Sequence, residues 1–161
     1  MIPAHAEPAT PLAVLLERRK GWRADGRTVV MTNGCFDLLH PGHLALLEAA
    51  RREGDLLVVA LNSDSSVRRL KGEGRPVVPQ RERAEVLLAL EAVDAVVLYD
   101  EDTPIEVVRA LRPEVLVKGA DWAQDGVVGR AEVEKDGGRV LRVELLPGRS
   151  TSSIVERIRT T

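Results

Sequence analysis

A chain of 161 residues holds one domain and one core at the usual ~100 to 200 residues per domain, so a second catalytic domain is not expected. With 44% hydrophobic residues, 30% charged residues and a net charge of −2, the composition is that of a soluble globular protein. Four aromatics (Trp22, Phe36, Tyr99, Trp122) and balanced charge argue against nucleic-acid binding, and the longest apolar run, Leu56 to Leu61, is far short of the ~20 residues that span a bilayer.

Residues 1–10 lack the basic and apolar stretches of a secretion signal and read as a disordered tail. Thr10 and Pro11 look like an N-cap and a first-turn proline for an amphipathic helix over residues 11–23, which ends before Asp25-Gly26. Strand-like runs rich in Val and Leu then follow at Thr28 to Thr32, Leu56 to Leu61, Ala95 to Tyr99, Val115 to Val117 and Arg139 to Leu145. Helical patterns lie between and after them, at His43 to Arg52, Gln80 to Leu90, Ile105 to Leu111, Arg130 to Lys135 and Ser152 to Arg159. Alternation of this kind specifies an α/β fold: a single doubly wound, Rossmann-like domain over 11–161 with a five-stranded parallel sheet. No repeat, low-complexity tract or linker interrupts it. Cys35 is the only cysteine, which rules out an internal disulfide and suits a reducing, cytoplasmic setting.

Ligands of such sheets bind beyond the carboxyl ends of the strands, and the first strand leaves through Thr32-Asn33-Gly34-Cys35-Phe36-Asp37-Leu38-Leu39-His40-Pro41-Gly42-His43. Proline disfavours helical backbone in the residue before it and suits the first helical turn, so His40 should cap the helix. His43 follows three residues on, and both imidazoles should flank amide donors that already favour a phosphate. Gly42, without a Cβ, should let the backbone approach that phosphate. A metal pair is disfavoured because no third ligand stands at helical spacing, and the G-x-x-x-x-G-K-[ST] and G-x-G-x-x-G signatures are absent.

Arginine outnumbers lysine nineteen to four, which makes the remaining lysines informative. Lys71 and Lys118 each stand beside a glycine in expected loops at strand ends, where a flexible ammonium suits a triphosphate, though solvated loop lysines read the same way. Gly148-Arg149-Ser150-Thr151-Ser152-Ser153 offers hydroxyls and amides at a helix start, which is a phosphate cradle or an ordinary N-cap with Ser153 and Glu156 as a capping box. Arg83 on a helix is by itself a solvated residue.

These residues resemble the adenylyltransferase domain of ADP-heptose synthases, within the cytidylyltransferase-like superfamily of H-x-G-H nucleotidyltransferases. The likeness runs from about Val29 to Ile158 and is carried by Met31 to Asp37 with His40-Pro41-Gly42-His43, Asn62-Ser63-Asp64, Arg69 to Gly72 with Arg75-Pro76, Glu91 to Asp94, Val117 to Asp121 and Gly148 to Ser152. The resemblance implies that His40 and His43 contact the phosphates through the transition state and that Lys71 and Arg83 hold the triphosphate. It also implies that Ser150, Thr151 and Ser152 bind phosphate and that Asp121 lies near the nucleotide's sugar. The expected nucleotide-binding set further includes Thr32, Asn33, Gly34, Cys35, Phe36, Asp37, Gly42, Lys118 and Gly119, and the expected substrate-binding set is Asn62, Arg75 and Trp122. No metal site made by the protein is expected.

The implied reaction joins ATP, with Mg²⁺, to D-glycero-β-D-manno-heptose 1-phosphate, giving ADP-heptose for lipopolysaccharide or surface-glycan synthesis and pyrophosphate. Against the family's pattern, Pro41 replaces alanine, Ala120 glycine, Trp122 tyrosine and Ser152 threonine; none removes a phosphate-handling group, but Ala120 and Trp122 bear on base and sugar identity. The expected partners are the two substrates, a second copy of the chain in a dimer, and a separate sugar kinase upstream. Two readings stay open beside it: a cytidylyltransferase acting on glycerol phosphate or another polyol or sugar phosphate, and a non-catalytic nucleotide-binding module.

Overall fold

The computed structural model describes residues 8–120 and 126–161; residues 1–7, and with them most of the expected tail, and Asp121 and Trp122 lie outside the described residues. Five strands form one parallel sheet: β1 (Val29–Gly34), β2 (Leu56–Asn62), β3 (Ala95–Tyr99), β4 (Val115–Gly119) and β5 (Arg139–Val143), in the order β3-β2-β1-β4-β5. Every residue of β2 is buried, as a central strand covered on both faces requires. Helices α1 (Leu12–Ala24), α2 (Pro41–Arg51), α3 (Asp64–Lys71), α4 (Gln80–Leu88), α5 (Ile105–Leu111), α6 (Arg130–Lys135) and α7 (Thr151–Thr160) complete the described elements.

The period-2 geometry of the strands divides the core in two. Val30, Leu57, Val59, Leu61, Val96 and Val117 pack with Leu46, Leu47 and Ala50 of α2 and with Ala84 and Leu87 of α4. On the other face Val29, Met31, Val58, Ala60, Val97 and Leu116 pack with Leu15 of α1, Val107, Val108 and Leu111 of α5, and Val133 of α6. Because β1 pairs with both β2 and β4, the chain winds one way from β1 and later returns to its other side. The carboxyl ends of β1 and β4 therefore flank the switch point where open α/β sheets take ligands.

Four details differ from the sequence reading. Thr10 does not cap α1: its amide donates to the carbonyl of Val96 at 2.7 Å, Ala9 is buried in the core, and Pro11 occupies the cap position, so the chain is anchored before the first helix begins. Helix α3 is additional; its eight residues hold only Val67 and Leu70 as apolar members, and it starts because Ser63 Oγ accepts from the Ser66 amide at 3.1 Å. Lys71 is consequently the last residue of a helix rather than a loop residue, and Lys118 lies inside β4. The capping box at the last helix joins Ser150 to Ser153, not Ser153 to Glu156.

Arg19 closes the end of the sheet opposite the switch point. It is 4% exposed, and its fork donates to the carbonyls of Leu111 (3.0 Å) and Arg112 (2.8 Å), which end α5, and to Glu114 (2.5 Å). Glu114 in turn accepts the Val29 amide at the start of β1 at 2.8 Å. A cation on helix-terminal carbonyls is favourable, and loss of the buried guanidinium strips two carbonyls and the partly exposed Glu114 carboxylate of their donor. Arg19→Leu should therefore lower stability by about 3 kcal/mol, a fall in Tm on the order of 10 °C, while the chemistry at the other end of the sheet keeps its rate at 25 °C; calorimetric melts and a rate measurement check the pair of outcomes.

Candidate active site

The residue before Pro41 takes extended backbone, φ −144° and ψ 167° at His40, which turns the chain and frees its side chain to cap α2. His40 Nδ1 accepts the Gly42 amide at 3.1 Å. One helical turn on, the His43 ring stacks on that of His40, centroids 3.8 Å apart and planes inclined by 24°, with the Phe36 ring 5.1 Å away on another side. Gly42 serves a different purpose from the one its lack of a Cβ suggested in sequence. A Cβ there would stand 2.9 Å from His40 Cε1 and Nδ1, so the glycine makes room for the capping imidazole, and its amide is spent on that ring rather than left for a phosphate.

The stack has an electrostatic consequence. Burial, then the charge of a protonated His40, pushes His43 down to about 4, and burial with the guanidinium of Arg149 lowers His40. Both rings are neutral at pH 7. His40, accepting at Nδ1, carries its proton on Nε2. His43 Nδ1 is buried without a hydrogen-bond partner. The pair offers N–H donors.

Around it lies a cleft of about 530 Å³ at the carboxyl edge of the sheet. Its walls include Thr32 to Asp37, His40, Gly42, His43, Asn62, Lys71, Arg75, Lys118, Gly119 and Ser150 to Ser152, so the cleft brings together most of the residues the sequence singled out. Helix α7 begins against α2: Thr151 Oγ1 donates to the Leu38 carbonyl at 3.3 Å, and the Arg149 side chain packs beside Gly42. Two helix N-termini thus open on one space, each with its positive dipole end. Ser150 caps α7 by accepting the Ser153 amide at 3.1 Å, so of the three hydroxyl residues Ser152 is the one with its side chain uncommitted and exposed. Lys71 is exposed on the opposite wall, where α3 ends at Gly72 with φ +92°.

Four of the expected site residues are engaged in ties within the protein. Arg83 is 2% exposed and absent from the cleft wall; it donates to the carbonyls of Val78 (2.9 Å), Cys35 (2.6 Å) and Asn62 (3.0 Å) and to Asp64 (2.7 Å). It holds the walls, its Nε, Nη1 and Nη2 each bonded within the protein. Asp37, 4% exposed, accepts the amides of Val77 and Val78 at 2.8 and 2.9 Å and Arg75 Nε at 2.6 Å. Burial raises its pKa, but the two amides and Arg75 offset that and hold the carboxyl below the ordinary range. Arg75, expected on the substrate, touches the cleft but points its Nε into this latch. Thr32 is fully buried and ties β1 to β4 through Val117 O at 3.0 Å, and burial pushes the Cys35 thiol up, away from nucleophilic chemistry.

The cleft also contains residues the sequence reading passed over: Arg149, Tyr99, Asp102, Thr103 and Pro104. Arg149 stood inside the Gly148 to Ser153 string, and Tyr99 ends a strand, so both carried a signal; the segment from Asp102 to Pro104 carried none. Among the described residues no group of three or more His, Cys, Asp or Glu gathers as a metal site. No helix among them is long and apolar enough to cross a membrane.

A doubly wound sheet with paired histidines at one helix start and a second helix start on the same cleft suits a nucleotidyltransferase, and residues 31–157 match the cytidylyltransferase-like family model: the chain belongs to the cytidylyltransferase-like family. Within it, the chain is 54% identical over 155 residues to the bifunctional protein HldE of Methylobacillus flagellatus, covering 96% of this chain and 32% of that one. The bifunctional protein HldE of Acidiphilium cryptum is 59% identical over 143 residues, 89% of this chain and 29% of the relative. The chain therefore spans about a third of the length of the curated relatives it matches. The crystal structure of the lipopolysaccharide core biosynthesis protein from Thermoplasma volcanium superposes with a TM-score of 0.62 at 29% identity, covering 75% of this chain and 98% of that one.

The buried, neutral His43 has a measurable signature. Its folded pKa lies below the 6.5 of an unfolded histidine, so as pH falls the unfolded chain takes up the proton first, and stability is lost between pH 6.5 and about 4. Imidazole NMR should show His43 neutral until about pH 4, and His43→Gln should flatten the stability slope between pH 6.5 and 4 in denaturant titrations. A His43 titration at 6.5 would contradict the stacked, buried geometry.

Proposed function

We propose that the chain transfers AMP from ATP to D-glycero-β-D-manno-heptose 1-phosphate, releasing pyrophosphate by direct in-line attack of the sugar phosphate oxygen on the α-phosphorus. The observation that carries this reading is the stacked His40–His43 pair at the start of α2, facing the start of α7 across one cleft. A sugar phosphate is ionised at neutral pH, so the nucleophile needs no general base, and two neutral imidazoles are suited to donate N–H groups to phosphate oxygens as charge develops. Lys71 and Arg149 add positive charge on opposite walls, and the amides at the two helix starts complete the cradle. Catalysis is then positioning and charge stabilisation, with no covalent enzyme intermediate.

Nucleotidyltransferases of this family take a divalent metal with the triphosphate, and Mg²⁺ is the proposed ion. Among the described residues the two carboxylates on the cleft wall are engaged, Asp37 by Arg75 and two amides and Asp102 by Arg69, which fits a metal carried in by the triphosphate. The choice of heptose rests on the similarity to HldE, whose chains extend well beyond the matched third. The proposed acceptor is supplied by a sugar kinase acting before this step.

The test is a panel of ATP and CTP against heptose 1-phosphate and glycerol phosphate, scored by pyrophosphate release. Fastest release with ATP and the heptose supports the reading; faster release with CTP and glycerol phosphate overturns it. In the active pair, His43→Ala should lower kcat ~10²- to 10³-fold while calorimetric ATP binding changes far less, and His43→Asn, which keeps one N–H donor, should recover part of the rate. Lys71→Ala should raise the KM for ATP with Tm unchanged, because the exposed end of α3 has little core to support. A wild-type kcat in His43→Ala would reduce the imidazole to a structural role.

A further inference from the structure

The carboxyl ends of β1, β2 and β3 are joined by one chain of side-chain hydrogen bonds. Asn33 Nδ2 donates to Tyr99 Oη at 3.2 Å, Tyr99 Oη donates to Asn62 Oδ1 at 2.8 Å, Asn62 Nδ2 donates to Ser66 Oγ at 3.0 Å, and Ser66 Oγ donates to the Glu101 carbonyl at 2.9 Å. The sense of every bond follows from its far end. A backbone carbonyl only accepts, so the Ser66 hydroxyl spends its proton there and accepts from the Asn62 amide nitrogen. Asn62 must then turn Oδ1 to Tyr99, whose single proton goes to it, and Tyr99 is left to accept from the Asn33 nitrogen. Burial pushes the Tyr99 phenol up to about 12, so that proton is present at any working pH.

The last member is therefore forced to turn its amide oxygen away from the relay. Asn33 Oδ1 is buried with no hydrogen-bond partner, whereas Asn62, Tyr99 and Ser66 are each satisfied through the relay. Buried amide oxygens are normally paired, and an orphan at the edge of a ligand cleft asks for a donor. Asn33, Asn62 and Tyr99 all line that cleft, on the β2–β3 side of the histidine pair. The opposite side holds Lys118, Gly119 and the Ser150 to Ser152 cradle.

We propose that Asn33 determines acceptor specificity, its amide oxygen accepting a hydrogen bond from a hydroxyl of the sugar phosphate, and that Tyr99 is the positioning residue that holds the amide in this sense. This places Asn33 on the acceptor rather than on the nucleotide, and it rests on the transferase reading above. Thr103 and Asp102, on the same side of the cleft, complete a polar surface suited to a polyhydroxylated ligand. A site built to satisfy a polar group rejects an analogue that lacks it, because the protein's own partner is then left unpaired.

The test uses the full chain, ATP and a series of acceptors in which single hydroxyls are replaced by hydrogen. Tyr99→Phe removes only the relay hydroxyl and Asn33→Ala removes the acceptor. Both are expected to raise the acceptor KM ~10-fold or more, with the KM and calorimetric Kd for ATP changed less than about twofold. One deoxy analogue should be used ~10-fold less well than its parent by the wild-type chain and equally well by Asn33→Ala, the non-additivity that marks a direct pair. Unchanged acceptor KM in both variants overturns the proposal, as does a loss expressed in ATP affinity, which would return Asn33 to the nucleotide. If the wild-type chain turns over glycerol phosphate instead of the heptose, the heptose reading fails by itself, and the same variants read the proposal on that acceptor's hydroxyls.

Discussion

The guanidinium of Arg83 is the interaction on which the cleft depends. A cation buried this deeply is costly unless its donors are spent, and here they go to three carbonyls and a carboxylate drawn from three stretches of the chain, around residues 35, 62–64 and 78. Cys35 O fixes the loop between β1 and α2, Asn62 O the end of β2, Val78 O the segment between α3 and α4, and Asp64 the start of α3. Asp64 and Gln80 then bond reciprocally, Asp64 Oδ1 accepting the Gln80 amide at 2.7 Å and Gln80 Oε1 the Asp64 amide at 2.9 Å. Asp37 adds a second anchor by gripping Arg75, Val77 and Val78 from the other side. The wall that ends in Lys71 is thereby held before any ligand arrives, which is what catalysis by positioning requires.

Upon that frame the electrostatics of the cleft are set by neutral and cationic donors. Stacking buries the two imidazoles and keeps them uncharged, so their contribution to phosphate chemistry comes from directed N–H groups rather than from net charge. Net charge comes from Lys71 and Arg149, and partial charge from two helix starts that converge because Thr151 and Arg149 pack onto the α2 turn. Proline at the first helical position and glycine at the next are both needed: one sends His40 into the capping conformation and the other leaves room for its ring.

Much of this was legible in the residues. Val- and Leu-rich runs gave five parallel strands, and the order of backbone preferences in His40-Pro41-Gly42-His43 was enough to place the cap. What escaped was decided by tertiary closure. Arg81 and Arg83 stand two apart in the same polar helix, and nothing local distinguishes the partly exposed one from the one the 72–79 segment seals in. Asp37 and Arg75 look like ligand-binding charges until they are found in contact across 38 residues of sequence. Helix α3 is too short and too polar for its period to be read, and its start depends on Ser63 recruiting a single amide. Tyr99 was legible only as a strand residue, because its role is fixed by partners on β2 and, one strand further on, β1.

The most direct test of nucleotidyl transfer by in-line displacement in this cleft is the stereochemical course at the α-phosphorus. With a single diastereomer of ATP carrying sulfur at the α-position, and heptose 1-phosphate as acceptor, the nucleotide sugar should form with inversion of configuration. Retention would mean two successive displacements through a covalent enzyme intermediate, and would contradict a mechanism in which the histidines only donate to the phosphate and the sugar phosphate attacks it directly.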